Sequence, residues 1–332
     1  MIEVEELTKR FRRPRRRGHR IRGEAAAERA AVDGVTFQVA AGEFVGYAGP
    51  NGAGKSTTMK MMCGILTPSG GRVTVDGLTP SRQRRQLARR MGVVFGQRTQ
   101  LWWDLPLLDS FDLVRHLYRM PTSTWRRHLD ELANLLDLGP LLAKPVRALS
   151  LGQRMRAELA AAVLPAPRVL FLDEPTIGLD VEAKAAVRGF LQRLNAAEGT
   201  TVVLTTHDLD DITELCRRLI VIDHGRIVYD GTIDDLHTTF GSTRMLIVDL
   251  ADPTATLTPG PDLADAEVVR AEGARRWIRF ARERTSAAYL VASVLAHHEV
   301  KDLSIVEPDI EDVIRRIYRG ETRPTGRGAG TH

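Results

Sequence analysis

The chain has 332 residues, 43% hydrophobic and 27% charged, with a formal charge of +5, so it is long enough for one large domain plus a smaller one and has the composition of an ordinary globular protein. No stretch is apolar for the length of a membrane helix, because the longest candidate, 159–172, is broken by Pro165, Pro167 and Arg168, and the opening Met1-Ile2-Glu3-Val4-Glu5-Glu6 is not expected to be a signal peptide. The two cysteines, Cys63 and Cys216, read as reduced core thiols of a cytosolic protein, and the nine histidines show no spacing that predicts a structural metal site.

In chain order, residues 2–11 alternate apolar and polar as an edge strand does. A basic run follows, with Arg12, Arg13, Arg15, Arg16, Arg17, Arg20 and Arg22. Residues 23–31 are Ala/Glu-rich and suit a helical turn; the strand pattern resumes over 32–39. Residues 44–48 read as a short buried strand and 56–66 as a helix with Met59, Met62, Cys63 and Leu66 on its apolar positions. Strands are predicted over 72–75 and 91–95, and mostly helix over 107–164. Buried parallel strands return at 169–173, 201–205 and 219–223, with a helix over 181–197 between the first two. That alternation predicts an α/β core carrying a helical insertion. Composition shifts near Ser242, and 252–261 is a Pro/Thr/Asp-rich loop. Strands at 244–250, 277–280 and 300–306 with helices at 286–297 and 310–318 predict a small α+β module, followed by a Gly/Thr/Arg-rich tail.

Gly49-Pro50-Asn51-Gly52-Ala53-Gly54-Lys55-Ser56-Thr57 fits the phosphate-binding loop pattern between a strand and a helix. Glycines let the backbone fold round a phosphate, and the loop amides with the positive helix end hold it. Lys55 is expected to neutralise β- and γ-oxygens of ATP, and Ser56 to give its hydroxyl to Mg2+. The apolar run Val169-Leu170-Phe171-Leu172 ends in Asp173 and Glu174, as a central strand with charges at its carboxyl end does. Asp173 is placed to hold the magnesium shell and Glu174 to polarise an attacking water.

Leu149-Ser150-Leu151-Gly152-Gln153 opens an Ala-rich helix, with Ser150 as a suitable N-cap. Its position shortly before the strand ending in Asp173 and Glu174 resembles the signature sequence of the ATP-binding cassette family. Leu151 stands where that family has glycine, while Ser150, Gly152 and Gln153 match. The resemblance implies further roles. Gln97 would reach the metal, Gly178-Leu179-Asp180 would form the D-loop with Asp180 at the nucleotide, and His207 would be the switch histidine at the γ-phosphate. Phe11 falls where the family stacks an aromatic on adenine; a strand-end hydrophobe is the alternative. The implied fold is an α/β P-loop core with a mixed or parallel sheet, an antiparallel N-terminal sheet and a helical subdomain, plus a small C-terminal α+β domain. The implied boundaries are 1–241 for the cassette domain (helical subdomain about 98–165), 242–320 for the C-terminal domain and 321–332 for a disordered tail.

The segments around Phe95-Gly96-Gln97-Arg98 and Leu101-Trp102-Trp103-Asp104, with the C-terminal module, resemble bacterial exporter ATPases of the daunorubicin-resistance type. Those are encoded apart from their membrane permeases. The resemblance implies an ATPase subunit peripheral on the inner face of the cell membrane. Two copies would close head-to-tail round two MgATP and drive a separate transmembrane permease. Trp102 and Trp103 would line the groove for the permease's coupling helix, adjacent side chains pointing opposite ways on most backbones so that one ring is expected inside and one outside; the alternative is that both pack within the subdomain. The basic run suits anionic lipid headgroups, nucleic acid or a solvated loop; of the two partners, lipid is retained and no nucleic acid is expected. Ribosome-acting members carry two cassettes in one chain, and DNA-repair members split the cassette with long coiled coils. This chain shows neither pattern.

Overall fold

The computed structural model describes residues 1–11, 29–96, 99–206, 208–240, 243–255, 257, 266–281 and 284–306. The basic run 12–22, Gln97, His207, the helix expected over 310–318 and the tail 321–332 lie outside the described residues. The chain divides into two compact units, Met1–Asp230 and Gly231–His332. This division falls upstream of the composition shift near Ser242.

The first unit runs β1 (Ile2–Phe11), β2 (Arg29–Val39), β3 (Phe44–Ala48), α1 (Lys55–Met62), β4 (Gly70–Val75), α2 (Arg84–Leu87) and β5 (Met91–Phe95). There follow α3 (Leu107–Tyr118), α4 (Thr122–Leu135), α5 (Leu151–Val163), β6 (Val169–Asp173), α6 (Val181–Glu198), β7 (Thr201–Thr205), α7 (Leu209–Leu215), β8 (Arg218–Asp223) and β9 (Arg226–Thr232). Among the described residues, β5-β6-β7-β3-β8-β9 form one sheet and β2-β1-β4 another. In the larger sheet β5, β6, β7, β3 and β8 pair in parallel. The central strands β3, β6 and β7 are buried along nearly their whole length, as in a sheet covered on both faces.

The smaller sheet is antiparallel and lies against one of those faces. Ile2, Val4, Leu7, Val35, Phe37, Val73 and Val75 pack with Tyr47, Phe171, Val203 and Ile220, and with Met59 and Met62 of α1. The edge-strand expectation for residues 2–11 is corrected here: β1 is the central strand, paired with β2 on one side and β4 on the other. Its alternation records one solvated sheet face, with Glu3 and Glu5 outward, and not a missing neighbour. The helical turn expected to reach residue 31 is also corrected, since residues 29–31 open β2 and pair with β1 at Arg10 and Phe11. Pairing with a neighbour overrides the Ala-rich helical preference.

The second unit contains α8 (Ile233–Phe240), β10 (Thr243–Leu250), β11 (Ala266–Glu272), β12 (Arg275–Ala281), α9 (Ala287–His297) and β13 (Val300–Val306). Its described strands form an antiparallel sheet in the order β11-β12-β10-β13. Leu246, Val248, Leu250, Ile278 and Phe280 meet Leu290 and Val294 of α9 in a core of its own.

Phe171 is fully buried in β6, between the two sheets and two residues before Asp173. Phe171→Ala is expected to cost about 3–5 kcal/mol, as large-to-small changes in cores do. Equilibrium denaturation measures this; a cost below about 1 kcal/mol would contradict the packing.

Candidate functional site

Buried β3 ends at Ala48, and the chain then turns through the glycine-rich loop into α1. Gly54 is the N-cap, with φ 113°, and a Cβ there would lie 2.5 Å from the Ala31 carbonyl oxygen. Both the angle and the space require glycine. The loop is braced by Ala53 N–H donating to Pro50 O at 3.1 Å and Gly225 N–H donating to Ala53 O at 2.9 Å. Lys55 is buried, and its ammonium donates to Gly49 O at 2.5 Å and Pro50 O at 3.2 Å. Burial pushes the Lys55 pKa down, and the nearby charges of Glu174 and Asp173 oppose that. The ammonium is thus held beside two carboxylates on the inside of the loop.

Parallel pairing brings a second set of groups to the same end of the sheet. Asp173 pairs with Phe95 on one side and with Thr205 on the other. Asp173 Oδ1 accepts from Ser56 Oγ at 3.2 Å and from Thr205 Oγ1 at 2.5 Å. Glu174 follows with φ 58°, in the left-handed region, and its N–H donates to Thr205 O at 2.9 Å. Gly96 lies against this turn, its N–H donating to Asp173 O at 2.7 Å. A Cβ on Gly96 would come within 2.2 Å of Glu174 O. Gly49, Pro50, Asn51, Ser56, Asp173 and Glu174 together line a cavity of about 640 Å³, within the size range of nucleotide and drug-sized sites. Thr205 is the member the motif reading missed; a polar residue closing the Val202-Val203-Leu204 run was its only signal.

Other expected site residues stand elsewhere. Ser150 caps α5: its Oγ accepts from Gln153 N–H at 3.2 Å while Gln153 Oε1 accepts from Ser150 N–H at 3.1 Å. Gly152 lies close to α6, where a Cβ would be 3.0 Å from Ala183 Cβ. Asp180 caps α6, accepting from Ala183 N–H at 2.8 Å. None of Ser150, Gly152, Gln153 and Asp180 lines the cavity. Phe11 ends β1 half-exposed, with the Lys9 ammonium 5.4 Å from its ring centre. The expectation that one of the two tryptophans packs inward is corrected: Trp102 is 39% and Trp103 47% exposed. The backbone bends there, with Leu105 N–H donating to Trp102 O at 3.2 Å, so strand-like alternation does not apply. Leu101, at 4% exposure, takes the inward place instead.

The family model described as ABC transporter matches residues 32–177. The chain is 33% identical over 316 residues to the daunorubicin resistance ATP-binding protein DrrA2 of Streptomyces coeruleorubidus, covering 93% of this chain and 98% of that one. It is 37% identical over 221 residues to the daunorubicin resistance ATP-binding protein DrrA3 of the same organism, covering 67% and 69%. A solved ATP-binding cassette in a dimeric post-hydrolysis state, bound to ADP and Pi, is similar with a TM-score of 0.61. Identity there is 25%, over 70% of this chain and 99% of that one. On these likenesses the chain belongs to the ABC transporter family as an ATP-binding subunit that hydrolyses ATP.

Proposed function

We propose that the chain is the ATPase subunit of an exporter, working as a head-to-tail dimer on a separate transmembrane permease. In this reading residues 1–241 act as the cassette, with the helical subdomain over about 98–165, and 242–320 as a small appended domain. One contact carries the reading: Ser56 Oγ and Asp173 Oδ1 lie 3.2 Å apart beside the cavity formed by the phosphate-binding loop and Glu174. The daunorubicin-resistance names of the relatives support export, and the dimeric cassette supports pairing of two copies. No helix among the described residues is long and apolar enough to cross a membrane. A subunit peripheral on the inner membrane face, held there by its permease, suits that observation. Contact of the basic run with anionic lipid belongs to the same proposal.

The chemistry follows from the groups present. Loop amides and the start of α1 receive the β-phosphate, and Lys55 turns its ammonium from the loop carbonyls to the β- and γ-oxygens. The oxygens of Ser56 and Asp173 fit Mg2+, which keeps most of its water and takes few protein ligands. Bound there, the ion would neutralise charge on the phosphate oxygens. Glu174 orients the water for in-line attack. Gln97 and His207 complete the proposed set, towards the metal and the γ-phosphate. The Ser150–Gln153 helix start and Asp180 face the nucleotide of the second copy. Phe11 offers an exposed ring face to adenine. Loss of the γ-phosphate removes the contacts between halves, and the dimer opens.

Lys55→Ala is expected to lower ATP affinity tenfold or more, taking about 1.5–3 kcal/mol for a hydrogen bond to a charged group. Unchanged affinity by calorimetry would contradict the phosphate role. Glu174→Gln keeps the cradle but loses the group that positions water. It is expected to bind MgATP, to hydrolyse it at well under a tenth of the wild-type rate, and to elute as a dimer in size-exclusion chromatography. A variant that binds ATP yet stays monomeric, or turns over like wild type, would refute the assignment.

The exposed Trp102 and Trp103 rings are the proposed permease contact. Truncating an interface tryptophan commonly costs about 2 kcal/mol or more. At least one of Trp102→Ala and Trp103→Ala is expected to leave a folded, ATP-binding subunit that no longer co-purifies with the permease. Retention of the permease by both variants would place the coupling surface elsewhere.

A further inference from the structure

Gly96 and the Thr99–Gln100 pair are anchored to different parts of the first unit. Upstream, Gly96 N–H donates to Asp173 O at 2.7 Å, fixing that end to the carboxylate strand β6. Downstream, the anchor is Glu158 on α5. Thr99 Oγ1 donates to the Glu158 carboxylate. Gln100 N–H reaches both of its oxygens, at 3.2 and 3.1 Å. Gln100 Nε2 adds a bond to the Glu158 carbonyl oxygen at 3.0 Å. Only two residues of sequence separate the two anchors.

Glu158 is an expensive residue for its place. It is 4% exposed on the Ala-rich face of α5, beside Ala157 and Leu159. Burial pushes its pKa up, while Thr99, the Gln100 and Leu101 amides and the Arg154 charge pull it down. A buried carboxylate held by donors from one short segment ties that segment down more specifically than an apolar side chain would. The tie continues outward. Thr99 Oγ1 accepts from Leu101 N–H at 3.1 Å, Leu101 is buried, and Trp102 N–H donates to Ser110 Oγ of α3 at 3.3 Å. In the other direction Glu158 stands eight residues after Ser150 on the same helix, about 12 Å along its axis.

We propose that Glu158 is a positioning residue that latches the segment after Gly96 onto α5. With Thr99 and Gln100 held on α5, Gly96 keeps its place against the Asp173–Glu174 turn, and turnover in the cavity depends on that hold. The latch rests on the reading of that cavity as the ATP site.

The test uses the full chain with Glu158→Gln, which keeps the shape but turns a donor toward the segment, and Thr99→Ala, which removes one hydroxyl at an exposed position. MgATP affinity and stoichiometry are measured by calorimetry, and kcat and KM by steady-state phosphate release. Both variants are expected to bind ATP with full stoichiometry and affinity within about twofold of wild type, while kcat falls about tenfold or more. Glu158→Asp is expected to recover part of kcat. The double variant Glu158→Gln/Thr99→Ala is expected to be no worse than the weaker single one, because both changes open one latch. Wild-type kcat in Thr99→Ala, losses that multiply in the double variant, or a fall in kcat matched by a fall in binding stoichiometry would overturn the latch. Should Glu158→Gln fail to fold, Thr99→Ala decides alone. A wild-type chain that binds no MgATP would overturn the cavity reading and the latch with it.

Discussion

Parallel pairing of β6 with its neighbours, in one register, is what the cavity depends on. Asp173 stands opposite both Phe95 and Thr205, so the carboxylate, the Thr205 hydroxyl and the loop around Gly96 arrive together at the carboxyl ends of the strands. Ser56 joins them from the first turn of α1. A slip of one residue would turn Asp173 to the opposite face. Side-chain volume resists it, since Phe171 and Val203 fill the space between the two sheets while Leu170 and Leu172 are buried as well. Core packing therefore sets the chemistry: the same alternation that buries Phe171 aims the acidic end of β6 at the phosphate-binding loop.

Much of this was legible in the chain. The glycine loop between a buried strand and a helix, and the apolar run ending in two carboxylates, are local patterns whose spacing dictates where the groups point. What sequence reading lost depends on neighbours. Residues 2–11 look like an edge strand because polar and apolar residues alternate, yet β1 is central, for a sheet with one wet face alternates whether or not a strand has two partners. Residues 29–31 look helical from their alanines but pair with β1. Thr205 and Glu158 gave little signal, because their importance lies in contacts 32 and 58 residues away. The short helices α2 and α7, and β9, α8 and β11, went unread; β11 and β9 are mixed in polarity and only partly buried, so hydrophobic period says little there.

Several residues carry two roles. Ser150 and Asp180, proposed to meet the nucleotide of a second copy, also cap α5 and α6. Replacing such a cap costs about 1 kcal/mol of stability in its own right, so loss of activity on truncation mixes two effects. Gly152 and Gly178 sit where α5 meets the turn before α6; a Cβ on Gly178 would lie 3.0 Å from Leu151. The leucine at position 151 is thus accommodated against the Gly178 turn. The packing gives a physical reason why this departure from the family pattern does not disturb the helix start.

In the proposed function, Ser56 and Asp173 mark the metal and phosphate end of an ATP site completed by a second copy. A crystal structure of the full chain with Mn2+ and a non-hydrolysable ATP analogue tests it most directly, because Mn2+ is located by its anomalous signal. Mn2+ is expected beside Ser56 and Asp173, the β-phosphate inside the Gly49–Thr57 loop, and the Ser150 helix start of the second copy facing the γ-phosphate. Nucleotide bound away from the loop, or a site closed entirely by one chain, would contradict it.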